Sequence, residues 1–321
     1  MVEKRALGSL QVSLVGLGCN NFGMRCDAEQ SSVVVHAALD AGINFFDTAD
    51  VYGGTRSEEF LGQALAGHRD DVIIATKFAS PIDKDPLHRG ASARWVNEAV
   101  DGSLRRLGVD CIDLYQQHRP DADVAIEETL EALDGLVKAG KVREIGNSNF
   151  SAEQIAEADA VSKKNGWARF VTAQNQFNLL HRQPVRDLLP ACVEYDLAVL
   201  PFFPLASGFL TGKFRRGEAT PSGTRLSGMN EEMSARVLSD RNFDQLDFLE
   251  GFAGAREHTV LDLAFAWLAA QPAMGSIIAG ATKVEQVRAN VAAADWQLTD
   301  AEVAEVTAGL EEIRLAAKSE S

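Results

Sequence analysis

Four residues of different type stand where they could move a proton together: Asp47, Tyr52, Lys77 and His118. Asp47 ends an apolar run (Ile43, Phe45, Phe46), and Tyr52 follows just ahead of Gly53 and Gly54. Singly, each has a plain explanation: the aspartate a cap, the lysine a solvated end, the histidine a satisfied core residue. As a set they have a chemistry. A tyrosine hydroxyl ionises near pH 10, about three units above neutrality, and donates a proton poorly unless a neighbouring cation favours the phenolate. Lys77 is a candidate for that cation, Asp47 for the counter-charge a buried lysine needs, and His118 for a hydrogen bond to a substrate oxygen. The set suits proton delivery to a carbonyl that is becoming an alkoxide, with a hydride coming from a cofactor.

Such residues must be brought together by regular elements. The hydrophobic pattern alternates between period 2 and period 3.6 down the chain. A hairpin is expected over 10–18, with a turn at Gly8-Ser9, covering one end of a larger sheet. Strands are expected at 43–47, 71–77, 111–118, 142–147, 170–174, 197–201, 276–279 and 293–297. Helices fall between them, with capping patterns at Asp27-Ala-Glu-Gln, Ser151-Ala-Glu-Gln, Thr282-Lys-Val-Glu and Thr299-Asp-Ala-Glu, and with Ser57 as a further cap. The segment 213–258 interrupts the rhythm as a polar insertion with a weak helical pattern near 230–249, and the tail 318–321 is expected to fray.

Eight strands, each followed by a helix, argue for one α/β domain spanning 1–321. Its fold would be a closed parallel (β/α)8 TIM barrel with an N-terminal β-hairpin and a long loop after strand 6. The competing doubly wound open sheet needs a Gly-x-Gly-x-x-Gly turn opening a βαβ unit, and Gly-Leu-Gly-Cys-Asn-Asn-Phe-Gly after a hairpin fits that poorly. In a barrel, side chains at the C-terminal ends of the strands converge on one face. Those ends carry Asp47, Lys77, His118, Ser148, Asn149, Gln174, Phe202 and Gly280. Phe22 and Phe78, beside Asn21, are read as facing an apolar pocket.

Composition bounds the partners. The 321 residues carry a formal charge of −15, which leaves no general attraction for phosphate backbones or anionic lipid. Cys19, Cys26, Cys111 and Cys192 are scattered, without a CxxC pair, so neither a metal site nor a disulfide framework is expected. The first residues lack the apolar run of a signal sequence and no segment approaches about 20 apolar residues, so a cytoplasmic protein is expected.

The segments FFDTADVYGG, SEEFLGQAL, IIATKF, DLYQQHRPD, GKVREIGNSNFS, QNQFNLLHR, PLASGFLTGKF, PSGTR and IIAGATKVEQVRAN occur in this order over nearly the whole chain. In that order and spacing the chain resembles the aldo-keto reductases. The resemblance implies reversible, NADPH-dependent reduction of small aldehydes or ketones to alcohols, with Asp47, Tyr52, Lys77 and His118 as catalytic tetrad and Tyr52 as acid/base. It implies that Ser148, Asn149 and Gln174 hold the nicotinamide carboxamide, that Phe202 stacks on its ring, and that Pro204, Leu205 and Gly208 follow along the cofactor. Lys213 and Arg225 would meet its phosphates; Thr282, Gln286 and Asn290 its adenosine end; Gly18, Asn20 and Gly280 would lie close by. The sequence departs from common family wording at Phe202-Phe203, where Tyr or Trp followed by a small polar residue is frequent. The alternative is an NADP(H)-binding regulatory or redox-sensing subunit, since potassium-channel beta subunits share the fold. There the position of His118 is commonly Asn, so His118 favours the enzyme.

Overall fold

A computed structural model describes residues 2–319; Met1, Glu320 and Ser321 lie outside the described residues, and with them the end of the tail expected to fray. Strands β1 (Lys4–Leu7) and β2 (Leu10–Ser13) form the antiparallel hairpin. The barrel strands are β3 (Val15–Gly18), β4 (Phe45–Asp47), β5 (Ile73–Phe78), β6 (Ile112–Gln117), β7 (Val142–Ser148), β8 (Phe170–Gln174), β9 (Ala198–Val199) and β10 (Ile277–Gly280). All of them pair in parallel, in the order β10-β3-β4-β5-β6-β7-β8-β9. The ring closes between its ends, where Val199 N–H donates to Ala273 O at 2.7 Å and Gly275 N–H to Val199 O at 2.9 Å.

The helices are α1 (Ala28–Asp40), α2 (Arg56–Ala64), α3 (Ala93–Leu107), α4 (Ile126–Lys138), α5 (Ala152–Asn165), α6 (Gln183–Asp187), α7 (Leu189–Glu194), α8 (Glu231–Val237), α9 (Asp240–Gly254), α10 (Val260–Ala269), α11 (Val284–Ala293) and α12 (Asp300–Ser319). Their starts follow capping chemistry. Asp27 accepts from Gln30 N–H, Ser151 and Gln154 form a reciprocal box, and Thr299 with Glu302 do the same for α12. Among the described residues no helix is long and apolar enough to cross a membrane.

Strand assignment differs from expectation in two places. The stretch 10–18 is not one arm of a hairpin: it breaks at Leu14, giving β2 to the hairpin and β3 to the barrel. Ser13 makes the break, its N–H donating to Asn44 Oδ1 and its hydroxyl to Val15 O. The expected strand at 293–297 does not form. The alanine-rich run continues α11 to Ala293, with Ala294 N–H turned back to Val291 O, and nothing β-branched favours extension there. Eight barrel strands result with β3 in place of that segment.

The insertion is more ordered than expected. Phe243, Leu246, Leu249 and Phe252 recur on one face of α9 and are buried, while Arg216 from the incoming stretch bridges to Asp240, Asp244 and Asp247 on the same helix. Two helix caps also differ. Ser57 lies inside α2, its hydroxyl donating to Cys19 O and sharing a bond with Thr48 Oγ1. Thr282 lies ahead of α11, whose N-cap is Lys283; Gln286 Oε1, not Glu285, accepts from Thr282 N–H at 2.7 Å.

The barrel interior is layered by strand parity. Leu7, Leu10 and Val12 of the hairpin plug the N-terminal end and pack on Phe45, Ala75, Leu114, Leu200 and Ile278. Two residues further along stand Asp47, Lys77, Gln116 and Gly280 on the same strands and Phe202 just beyond the end of β9. An apolar lower layer therefore supports a polar upper one at the C-terminal mouth.

Candidate active site

Asp47 is the hub. Lys77 Nζ donates to Asp47 Oδ2 at 2.6 Å and to Thr48 O at 2.7 Å. Gln174 Nε2 and Gln116 Nε2 both donate to Asp47 Oδ1, at 2.8 and 3.2 Å. An ionised carboxylate only accepts, so both glutamines turn their NH2 groups toward it and keep their carbonyls for other partners. The Lys77 and Asp47 side chains are 0% and 4% exposed, an ion pair taken out of water and held by hydrogen bonds from three strands. Burial pushes the Lys77 ammonium down, but Asp47 and Tyr52 more than offset this and leave it above the usual lysine value.

Tyr52 is delivered to this pair by the turn after β4. Gly53 and Gly54 adopt φ of +61° and +65°, and a Cβ on Gly53 would lie 2.4 Å from Phe22 O. Arg56 fastens the turn, donating to Gly53 O at 2.8 Å and Gly23 O at 2.6 Å. The Tyr52 ring lies against Lys77, whose Nζ is 5.1 Å from the ring centroid. Burial pushes the phenol pKa up and Lys77 pulls it down; the net shift is upward, so Tyr52 is protonated at neutral pH. His118 stands edge-on to Tyr52 with ring centroids 5.7 Å apart. Burial, then the charges of Lys77 and Arg119, lower its pKa to about 3, so the ring is neutral, and its buried Nδ1 has no partner.

A cavity of about 720 Å³ opens over this group. Asp47, Tyr52 and His118 line it, as does every residue expected to contact a cofactor, from Gly18 and Asn20 to Asn290; Lys77 is reached only through its partners. Ser148 and Asn149 sit beside Tyr52 and His118, with Asn149 Nδ2 donating to His118 O and Ser148 Oγ, both at 3.0 Å. Further along, Lys213 and Arg225 line the cavity, with no carboxylate within 4.0 Å of either among the described residues. Burial lowers both their pKa values, and the charge of Arg25 adds to the effect. At the family departure, Phe203 takes a left-handed backbone (φ +52°) and Arg225 lies over its ring at 5.1 Å.

Phe22 and Phe78 do not face the pocket. Both are fully buried in the core between barrel and helices, Phe78 stacked on Tyr115 at 4.9 Å, because Phe78 alternates with the inward Ala75 and Lys77 of β5 and Phe22 packs there from the loop after β3. Gln116 and Arg25 escaped the sequence reading. Gln116 could have been found as the polar member of the inward row Ile112, Leu114, Gln116; Arg25 carries no comparable signal in a loop.

The sequence profile of the aldo/keto reductase family matches residues 14–311, and the chain belongs to that family of oxidoreductases. It is 35% identical over 310 residues to the aldo-keto reductase YhdN of Bacillus subtilis (strain 168), covering 94% of this chain and 91% of the relative. It is also 35% identical over 292 residues to a probable voltage-gated potassium channel subunit beta of Oryza sativa subsp. japonica, covering 89% and 88%. A third relative, the uncharacterized oxidoreductase YrpG of Bacillus subtilis (strain 168), is 35% identical over 301 residues, covering 90% and 89%.

Proposed function

We propose that the protein reversibly reduces a small aldehyde or ketone to the alcohol with NADPH, Tyr52 acting as the proton donor. The observation that carries this is the protonated Tyr52 phenol, placed against the buried Lys77 of the Lys77–Asp47 pair, at a cavity mouth it shares with a neutral His118. The donor set fits a nicotinamide carboxamide, which offers one NH2 and one carbonyl. Gln174 and Asn149 spend their NH2 groups inside the protein and keep carbonyl oxygens to accept, while Ser148 keeps a hydroxyl hydrogen to donate. Its far end fits phosphate, through Lys213, Arg225 and the start of α11.

The bound dinucleotide would supply the hydride. For the protein's part, the neutral imidazole of His118 donates an N–H to the substrate oxygen and orients it toward Tyr52. As negative charge grows on that oxygen, Tyr52 gives up its proton, and the adjacent Lys77 ammonium stabilises the phenolate left behind. Asp47 keeps Lys77 charged through the cycle, and Gln116 and Gln174 keep Asp47 in place. The 213–258 segment serves as the cover over the cofactor, within one catalytic domain. Free Cys19, Cys26, Cys111 and Cys192 support a cytoplasmic setting.

The rice relative gives one reason to weigh a regulatory subunit that binds NADP(H) without turnover. His118 speaks for catalysis, because it sets an imidazole beside Tyr52 at the cavity mouth, where it could donate to a substrate oxygen. Incubating purified protein with NADPH and 4-nitrobenzaldehyde, and following absorbance of the reduced nicotinamide, decides between them. Oxidation of NADPH is expected; binding without oxidation across a broad carbonyl panel would leave the regulatory reading.

A further inference from the structure

Gln116 does not line the cavity, yet it is fully buried inside the barrel and bonds to Asp47, the hub of the site. Its place in the sheet is fixed by register. Gln116 lies opposite Lys77 on β5 and Gly146 on β7, and Gly146 in turn lies opposite Thr172 on β8. Neighbouring strands are about 4.8 Å apart, so side chains on alternate strands are ordinarily kept apart by the one between them. Gly146 has no side chain to do this. A Cβ there would stand 2.1 Å from Thr172 Oγ1 and 3.2 Å from Gln116 Cγ, so the two side chains meet across the glycine. Thr172 Oγ1 donates to Gln116 Oε1 at 3.4 Å, and Gln116 Nε2 donates to Asp47 Oδ1 at 3.2 Å. Both bonds select the same orientation of the amide.

Asp47 acts on Tyr52 in two opposed ways: its own charge disfavours the phenolate, while the Lys77 it keeps protonated favours it. A donor on Oδ1, the oxygen that Lys77 does not use, draws negative charge off the carboxylate and leaves the ammonium free to act on the phenol. We propose that Gln116, oriented by Thr172 across the gap at Gly146, is a positioning residue for proton transfer: it holds the Asp47 carboxylate and sets how much of the Lys77 charge is left for Tyr52. The inference rests on the reading of Tyr52 as proton donor. Gln174 gives the same oxygen a second donor but also lines the cavity, so Gln116 is the member whose effect separates from cofactor binding. The other charged or titratable groups around Tyr52 are Cys19 after β3, His118 after β6 and Arg225 in the 213–258 segment.

Gln116→Leu, Thr172→Val and the double variant test this through NADPH affinity, kcat and KM for 4-nitrobenzaldehyde reduction, and the pH profile of 4-nitrobenzyl alcohol oxidation. In the oxidation Tyr52 must be a phenolate to take the proton, so the acid limb of kcat reports its ionisation. Gln116→Leu is expected to lower kcat for reduction about three- to tenfold, part of what a hydrogen bond to a charged group is worth, and to move the oxidation limb to higher pH. NADPH affinity and KM should stay near wild type, because Gln116 lines no part of the cavity. Thr172→Val keeps the side-chain shape and frees the amide, so it should move rate and limb the same way by less. The double variant should match Gln116→Leu, since Thr172 acts through Gln116. An unmoved limb in Gln116→Leu, or effects of the two substitutions that add, would overturn the proposal. Should Gln116→Leu not fold, Thr172→Val decides, and a wild-type rate and limb there would overturn it. Those outcomes leave the Tyr52 reading intact, whereas a Tyr52→Phe protein of wild-type rate would remove that reading and the proposal with it.

Discussion

Replacing Lys77 with methionine removes one half of an ion pair whose members are 0% and 4% exposed. Methionine fills much the same space, so the loss is chiefly electrostatic: Asp47 keeps two amide donors, from Gln174 at 2.8 Å and Gln116 at 3.2 Å, but no cation. Breaking a buried pair by removing one partner costs about 3–5 kcal/mol, and the surviving amide bonds place Lys77→Met near the lower limit, about 3 kcal/mol. The penalty belongs to the charge left on Asp47, so adding Asp47→Asn should return about half of it or more. Urea unfolding of the wild type, both single variants and the double variant, without cofactor and at one pH, measures the cycle. A Lys77→Met protein as stable as wild type would refute the reasoning, and so would a double variant whose cost equals the sum of the single costs.

Other expectations follow from the same geometry. His118 has a folded pKa of about 3 against about 6.5 unfolded, so the unfolded chain binds its proton first and stability falls as pH drops from 6.5 toward 3. His118→Asn should flatten that part of a stability–pH curve measured by chemical denaturation. Because burial raises the Tyr52 pKa, carbonyl reduction should hold its rate through pH 8 and decline only above the ordinary phenol range, read as kcat against pH. A Cβ at Gly146 would meet Thr172 Oγ1 at 2.1 Å and Gln116 Cγ at 3.2 Å, beneath the donors of Asp47. Gly146→Ala is therefore expected to cost about 1–3 kcal/mol in denaturant melts, with part regained on Thr172→Ala. Lys213→Ala and Arg225→Ala should each reduce the preference for NADPH over NADH, measured by titrating both cofactors at one ionic strength; unchanged ratios would remove them from the 2′-phosphate.

Much of the mouth was readable because β-strand parity is a local property. An apolar strand that stops on Asp47, and others that carry Lys77, Ser148 and Gln174 at their ends, announce a polar ring before any contact is known. Parity also explains what was legible but unread: Gln116 belongs to the same inward row. The β3 strand was hidden because Val-Gly-Leu-Gly is short and follows a hairpin arm without a turn residue; only Ser13 bonding to the distant Asn44 breaks it off. The 293–297 run shows the reverse error, since five residues of mixed pattern cannot separate a strand from the frayed end of a helix. Arg25 was beyond local reading altogether, because its partner, Gly223, is nearly 200 residues away and is met only in the folded chain.

The central claim is that Tyr52 gives the proton, and Tyr52→Phe removes little beyond the hydroxyl that would give it. Single-turnover reduction of 4-nitrobenzaldehyde by NADPH-loaded wild type and Tyr52→Phe protein tests it most directly, with NADPH affinity measured alongside. The expected result is a rate lower by about 10² to 10⁴, the usual contribution of general acid catalysis, at nearly unchanged NADPH affinity. A Tyr52→Phe protein that binds NADPH and reduces the aldehyde at the wild-type rate would contradict it.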